Sequence, residues 1–267
     1  SKPANILGKK SFDVFLLING ALGPFLIGTA VGTVFTGAQV SLDTMNHVRW
    51  ANSWHGLEAL LNARNVALGL TVLFLARTNG LIYMLNTIDD EDLAARAVRK
   101  LVVNAVSFLV FFLFFLTTLL LADGYAVSSS TGEIVIEKYK YFNNLLEMPY
   151  ALILFLAGVV AVLYGIAISI LKGSKKGIWF SGSGTILVVL SLFLIAGLNA
   201  TSFYPSTYDI NSSLTIRRAS SSLFTLKTMM YVSFIIPFVA AYIWYAWKAI
   251  NRKKITEDEM KNSGDGH

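Results

Sequence analysis

His55, Glu58, Asn62, Asn65 and Gly69 recur at spacings of three and four residues, the interval that stacks side chains on one helix face. An imidazole, a carboxylate and two amides in an apolar stretch suit two chemistries. They could pass protons, or they could hold a quinone headgroup by hydrogen bonds. The plainer alternative is that Glu58 sits at the outer end of the stretch and caps or pairs locally. A carboxylate facing lipid is costly, so this face is expected to turn toward protein or trapped water. Of the three histidines, His47 falls in a short loop and His267 ends the chain. His55 is the one placed as a candidate axial ligand, and no second His or Met partners it on a neighbouring segment. No haem or metal is therefore expected on this chain.

Other polar residues read more simply. Arg64 lies on a different face, near Leu57, Leu60 and Leu61, where it could pair with an acid or snorkel outward along its stem. Arg77 and Lys227 read as interfacial anchors. Gly20, Pro24, Gly28 and Gly32 stand at every fourth position, a small-residue face that allows close helix packing. The phenylalanines of 108–115 and the aromatic run 242–247 need no cofactor, since Phe suits lipid and Trp and Tyr settle at the membrane interface. There is no cysteine, which excludes disulfides, thiolate zinc sites and iron–sulfur clusters. No phosphate-binding glycine loop precedes a helix, and no nucleophile–His–acid set has workable spacing.

The elements that carry these residues are membrane spans. The chain has 267 residues, of which 55% are hydrophobic and 14% charged, with mean hydropathy +0.60. That charge content is too low to cover a water-facing surface, since soluble domains carry about 25%. Six stretches reach the roughly 20 apolar residues that a spanning helix needs: A (12–38), B (57–86), C (101–122), D (148–171), E (178–198) and F (223–250). The predicted fold is all-α, a polytopic membrane domain over 1–250 followed by a solvated tail, 251–267. Fourteen basic residues flank one side of this array, in the N-terminal arm, the B–C and D–E loops and the tail, against five in the other loops. By the positive-inside rule both ends are cytoplasmic. The formal charge of +6 thus belongs to membrane topology and not to nucleic acid. The C–D loop reads as an outer hairpin around its Ser-Ser-Ser-Thr-Gly run. The E–F loop, rich in Ser, Thr, Asn and Tyr, is expected to be ordered by side-chain-to-backbone bonds.

Leu198-Asn199-Ala200-Thr201-Ser202-Phe203-Tyr204-Pro205-Ser206 is followed by Asn211-Ser212-Ser213-Leu214-Thr215-Ile216, then by Ala219-Ser220-Ser221-Ser222 and Thr225-Leu226-Lys227-Thr228-Met229. Leu60-Leu61-Asn62, Asp123-Gly124-Tyr125 and Asn143-Asn144 precede them. In this order the stretches resemble the later part of subunit II of cytochrome bd quinol oxidase. The resemblance implies that A–F are the last six of nine helices and that the first three, with the family's proton-linked acidic and Trp motif, are absent. It implies a non-haem-binding subunit of a bacterial inner-membrane complex that oxidises quinol and reduces oxygen to water. The haems and the quinol-oxidising loop belong to the partner, subunit I. This chain would support that partner and shape proton or oxygen access, with a structural quinone or lipid between its helices. Arg217-Arg218 departs from the family pattern, in which many relatives have an aromatic and an acid. A secondary transporter or channel fragment is the competing class, and a membrane scaffold without redox partners a third. The polar residues gather in one helix and no internal repeat is visible, which favours the oxidase subunit over a transporter.

Overall fold

The computed structural model describes residues 8–45, 47–87, 91–128, 131–174 and 176–250. The elements in order are α1 (Gly8–Thr36), β1 (Val40–Leu42), β2 (Val48–Trp50), a 3-10 turn (Leu57–Leu61), α2 (Ala63–Thr87) and α3 (Glu91–Leu120). Then come β3 (Gly124–Val127), β4 (Ile134–Glu137), α4 (Lys140–Glu147), α5 (Pro149–Lys172), α6 (Gly177–Gly197), a 3-10 turn (Ile210–Ser212), α7 (Ile216–Ala219), α8 (Leu223–Ser233) and α9 (Ile236–Ile250). Among the described residues six stretches are long and apolar enough to cross a membrane: Ser11–Thr36, Ala63–Thr87, Ala94–Leu120, Pro149–Lys172, Gly177–Gly197 and Leu223–Ala249. The protein is an all-α, multi-pass membrane protein. The tail expected over 251–267 lies outside the described residues.

Residues 16–218 form one compact unit, and the described residues of the two chain ends form a second. Within the larger unit α2, α3, α5 and α6 pack into a bundle. On α3 the buried side chains Leu101, Ala105, Phe108, Phe112, Phe115 and Leu119 recur at intervals of three and four, one stripe turned to the core. Phe112 stacks on Phe108 and on Phe155 of α5, with ring centroids 5.6 and 6.5 Å apart. The α5–α6 contact is built on small residues instead. A Cβ on Gly158 would lie 2.8 Å from the Gly184 carbonyl oxygen, and one on Gly165 would lie 2.5 Å from the Ser181 nitrogen. These backbones are in van der Waals contact, which only glycine permits.

The loops between spans interlock on one side. β1 pairs with β2, and β3 with β4, both antiparallel. Single bridges join Ala38 to Ser206 and Ala126 to Thr201. The serine-rich segment after α6 is ordered as expected. Ser202 Oγ donates to the Leu214 carbonyl at 2.7 Å, and the Ser206 amide donates to Ser213 Oγ at 2.9 Å. The Leu42 amide donates to Ser212 Oγ at 2.9 Å and so ties this loop to β1. Asn144 of α4 is fully buried, and its amide donates to the Ile195 carbonyl and to Thr201 Oγ1.

Two segments differ from the sequence expectation. Segment B was expected to be helical from residue 57, but α2 begins at Ala63, after a separate 3-10 turn. Segment F is interrupted between Ser233 and Ile236. Pro237 explains the break: it has no N–H for the Ser233 carbonyl, and its ring crowds that oxygen. The Phe234 and Ile235 amides tighten onto carbonyls three residues back, those of Tyr231 and Val232.

Candidate functional site

The polar residues of segment B do not share a helix face. The chain leaves β2 through Asn52, whose side-chain oxygen accepts the Trp54 amide at 3.0 Å. His55 and Gly56 then both take left-handed backbone angles, φ 48° and 96°. Gly56 is needed twice, because a side chain there would also meet the Trp50 ring at 3.1 Å. The turn 57–61 follows, with Glu58 Oε2 accepting the Gly56 amide at 2.9 Å. Asn62 is extended, and its Oδ1 accepts the Arg64 amide at 3.0 Å. That is an N-cap holding the second residue of α2. The expected face of His55, Glu58, Asn62 and Asn65 is therefore corrected. The signal that would have found the break was Asn62 itself, a favoured capping residue.

The structure does bring Glu58, Asn62 and Asn65 around one cavity of roughly 340 Å³, lined also by Thr36, Gln39 and Thr207. Asn65 is 1% exposed. Its amide donates to the Ala59 carbonyl at 3.2 Å, and its Oδ1 accepts the Thr36 hydroxyl at 2.9 Å. The second Glu58 oxygen, Oε1, is shielded from solvent and has no hydrogen-bond partner. Leaving such a group unsatisfied costs about 1–3 kcal/mol. Glu58 is the one ionisable side chain among the lining residues. Thr36 closes one candidate span and Asn65 lies in the first turn of the next, so the cavity sits at the ends of these two spans. Thr36, Gln39 and Thr207 carried no periodic signal in the sequence and are seen only through the fold.

His55 lies outside this cavity lining. It is exposed, with Nδ1 2.8 Å from the Ser53 carbonyl oxygen and its ring 6.0 Å from Trp50. His47 is also exposed and sits 3.3 Å from Asp43, which Arg49 approaches to 3.8 Å. The His47 backbone amide is the main reason that the Asp43 carboxyl is held below its ordinary range. Among the described residues no three His, Asp or Glu side chains gather as a metal set would.

Gly28 and Gly32 of α1 lie against α2. A Cβ on Gly28 would be 2.8 Å from Gly69 Cα, and one on Gly32 would be 2.6 Å from Asn65 Oδ1. Gly20 is different, with nothing within 4 Å of its would-be Cβ, and Pro24 is half-buried. On another side of the α2 start, Arg64 is half-buried with its Nε unpartnered. It lies near Tyr141, whose hydroxyl donates to the Phe35 carbonyl at 3.2 Å. Burial pushes the Tyr141 phenol well above its ordinary value, against the pull of Arg64.

The comparisons agree with this architecture. The chain is 25% identical over 269 residues to a protein of Escherichia coli K12 named cytochrome bd-I ubiquinol oxidase subunit 2, covering 96% of this chain and 68% of that protein. It is 26% identical over 265 residues to a Haemophilus influenzae protein named probable cytochrome oxidase subunit 2, covering 94% and 68%. The model of the family described as cytochrome bd terminal oxidase subunit II matches residues 1–250. With all six spans included in that match, the chain belongs to the cytochrome bd terminal oxidase subunit II family.

Proposed function

We propose that this chain is the non-haem subunit of a bd-type oxidase in the bacterial inner membrane. It pairs with a haem-carrying subunit I in a complex that oxidises quinol and reduces oxygen to water. The observation that carries the reading is the filled interior of the bundle. Phe108, Phe112 and Phe155 stack through it, and the cavity between α2, α3, α5 and α6 is only roughly 70 Å³. A haem needs a slot for its macrocycle and an axial ligand facing that slot. Among the described residues His47 and His55 instead lie on exposed loops, which supports placing the haems on the partner.

The small cavity is lined by Leu68, Val72, Leu75, Val162, Val188 and Leu192, among others. A cavity of this kind stays dry and suits molecular oxygen or the end of an acyl or isoprenoid tail. Structural lipid or quinone binding, and help with oxygen access, belong to this proposal. So does a topology with both ends of the six-span array in the cytoplasm, which rests on the distribution of basic residues.

The test is an absorption spectrum of the purified complex beside that of the isolated chain, with copurifying subunits identified by mass. The complex should show haem bands and the isolated chain none. A haem band in the isolated chain, lost in His55→Ala, would overturn the reading.

A further inference from the structure

We propose that the cavity around Glu58 holds the headgroup of a zwitterionic phospholipid whose ammonium carries N–H donors, such as phosphatidylethanolamine. Three independent features point there. The first is charge and hydrogen-bond type. Glu58 is the sole ionisable side chain of the lining, and its Oε1 lacks a donor. No Lys, Arg or His lines the cavity, so a purely anionic headgroup would meet an uncompensated carboxylate. The cavity also offers donors for a phosphate. The Asn62 and Gln39 side-chain oxygens are already engaged, by the Arg64 amide and by the Asn52 amide. The side-chain N–H groups of both residues are left to a ligand.

The second feature is depth. The cavity lies where the spans Ser11–Thr36 and Ala63–Thr87 end, the level of lipid headgroups. The third is the surface beside it. Leu61 lines the cavity and is 79% exposed, and Leu57 and Trp54 on the same loop are 60% and 58% exposed. The loop thus presents a carboxylate inward and apolar side chains outward. An ammonium in the cavity lies beside the negative Glu58 side chain, and a small turn of that side chain would give Oε1 its missing donor, while the acyl chains of the same molecule run along the leucines. A trimethylated headgroup keeps the charge but has no N–H to donate, so it would be held less well.

The cavity is lined by residues of this chain. The purified membrane complex is stripped of lipid, then titrated in native mass spectrometry with phosphatidylethanolamine, phosphatidylcholine or phosphatidylglycerol of identical acyl chains. The wild type should bind the ethanolamine lipid at least about tenfold more tightly than Glu58→Gln does, a loss of about 1.4 kcal/mol. Glu58→Asp should keep most of the preference, and binding of the other two lipids should change less than that of the ethanolamine lipid. Thr207→Leu, which adds bulk at another lining residue, should also lower ethanolamine-lipid binding and serves if Glu58→Gln fails to fold. Equal retention of the ethanolamine lipid by wild type, Glu58→Gln and Thr207→Leu would overturn the proposal. So would a wild type that prefers phosphatidylglycerol, or a quinol analogue that displaces the lipid only in the presence of Glu58.

Discussion

The Thr36 hydroxyl donates to Asn65 Oδ1 at 2.9 Å, and this bond joins the last turn of α1 to the first turn of α2. Asn65 is buried, so its amide must be satisfied inside the protein. It is satisfied twice, by Thr36 and by the Ala59 carbonyl. Gly32 is the residue that lets α1 approach closely enough.

Substitution of the glycines should therefore separate the two ends of α1. Gly32→Ala places a methyl 2.6 Å from Asn65 Oδ1 and 2.9 Å from its Cα. Overpacking of this kind costs about 1–3 kcal/mol. Gly28→Leu should be worse, because its neighbours are the Gly69 Cα and the Leu68 carbonyl. Gly20→Ala meets nothing within 4 Å in this chain and should leave the isolated chain as stable as the wild type. Thermal unfolding in detergent reads all three, and equal midpoints for Gly32→Ala and Gly20→Ala would refute the packing argument.

Asn62→Ala should destabilise α2 by about 1 kcal/mol, the usual cost of losing a side-chain N-cap. Asn62→Asp should be neutral or mildly stabilising, because a carboxylate keeps the acceptor and also complements the helix dipole. Amide exchange at Arg64, the residue whose N–H is capped, should quicken in the first variant and not in the second. If both variants exchange like the wild type, Asn62 is not a cap.

The contrast between segments B and D shows what the sequence could reveal. Segment D, read as 148–171 from its apolar run, coincides with α5, which runs from Pro149 to Lys172 with Gly173 left-handed after it. B hid its true start because the apolar residues of 57–61 continue the pattern of α2, while a 3-10 turn buries none of them. Periodicity cannot distinguish an apolar turn lying at the interface from the first turn of a span. The cavity was half legible. Glu58, Asn62 and Asn65 stood out as polar residues in an apolar stretch, whereas Gln39 and Thr207 reach it only through loop pairings far apart in sequence. Arg64 was visible, but its neighbour Tyr141 comes from α4, and nothing local connects them.

Topology can be tested cleanly in a chain that has no cysteine. Thr131→Cys lies in the β3–β4 loop and Lys176→Cys in the α5–α6 turn, and both positions are exposed. An impermeant thiol reagent added to intact cells should label the first and spare the second, since the second belongs to the basic, inward side. Lysis should make the second react. Labelling of Lys176→Cys in intact cells would reverse the proposed orientation.

Tyr141 should make the fold sensitive to alkali. Its side chain is fully buried, its ring meets Phe35 edge-on at 5.4 Å, and its hydroxyl donates to the Phe35 carbonyl. Burial raises its pKa in the folded protein, with Arg64 only partly opposing. In the unfolded chain the phenol ionises near its ordinary value of about 10. Above that pH the unfolded state has lost a proton that the folded state keeps, so stability falls as pH rises. The contribution is whole below about 10 and is lost as pH climbs toward the folded value. Tyr141→Phe removes the titrating group along with one hydrogen bond worth about 1 kcal/mol. The variant should be less stable than the wild type at neutral pH, and the gap should narrow between about pH 9 and 11. Burial also raises Tyr125, so some alkaline loss should remain in the variant. Urea unfolding of the two proteins in detergent across that range measures the gap. A constant difference at every pH would mean that Tyr141 ionises as easily folded as unfolded, which its enclosure beside Phe35 forbids.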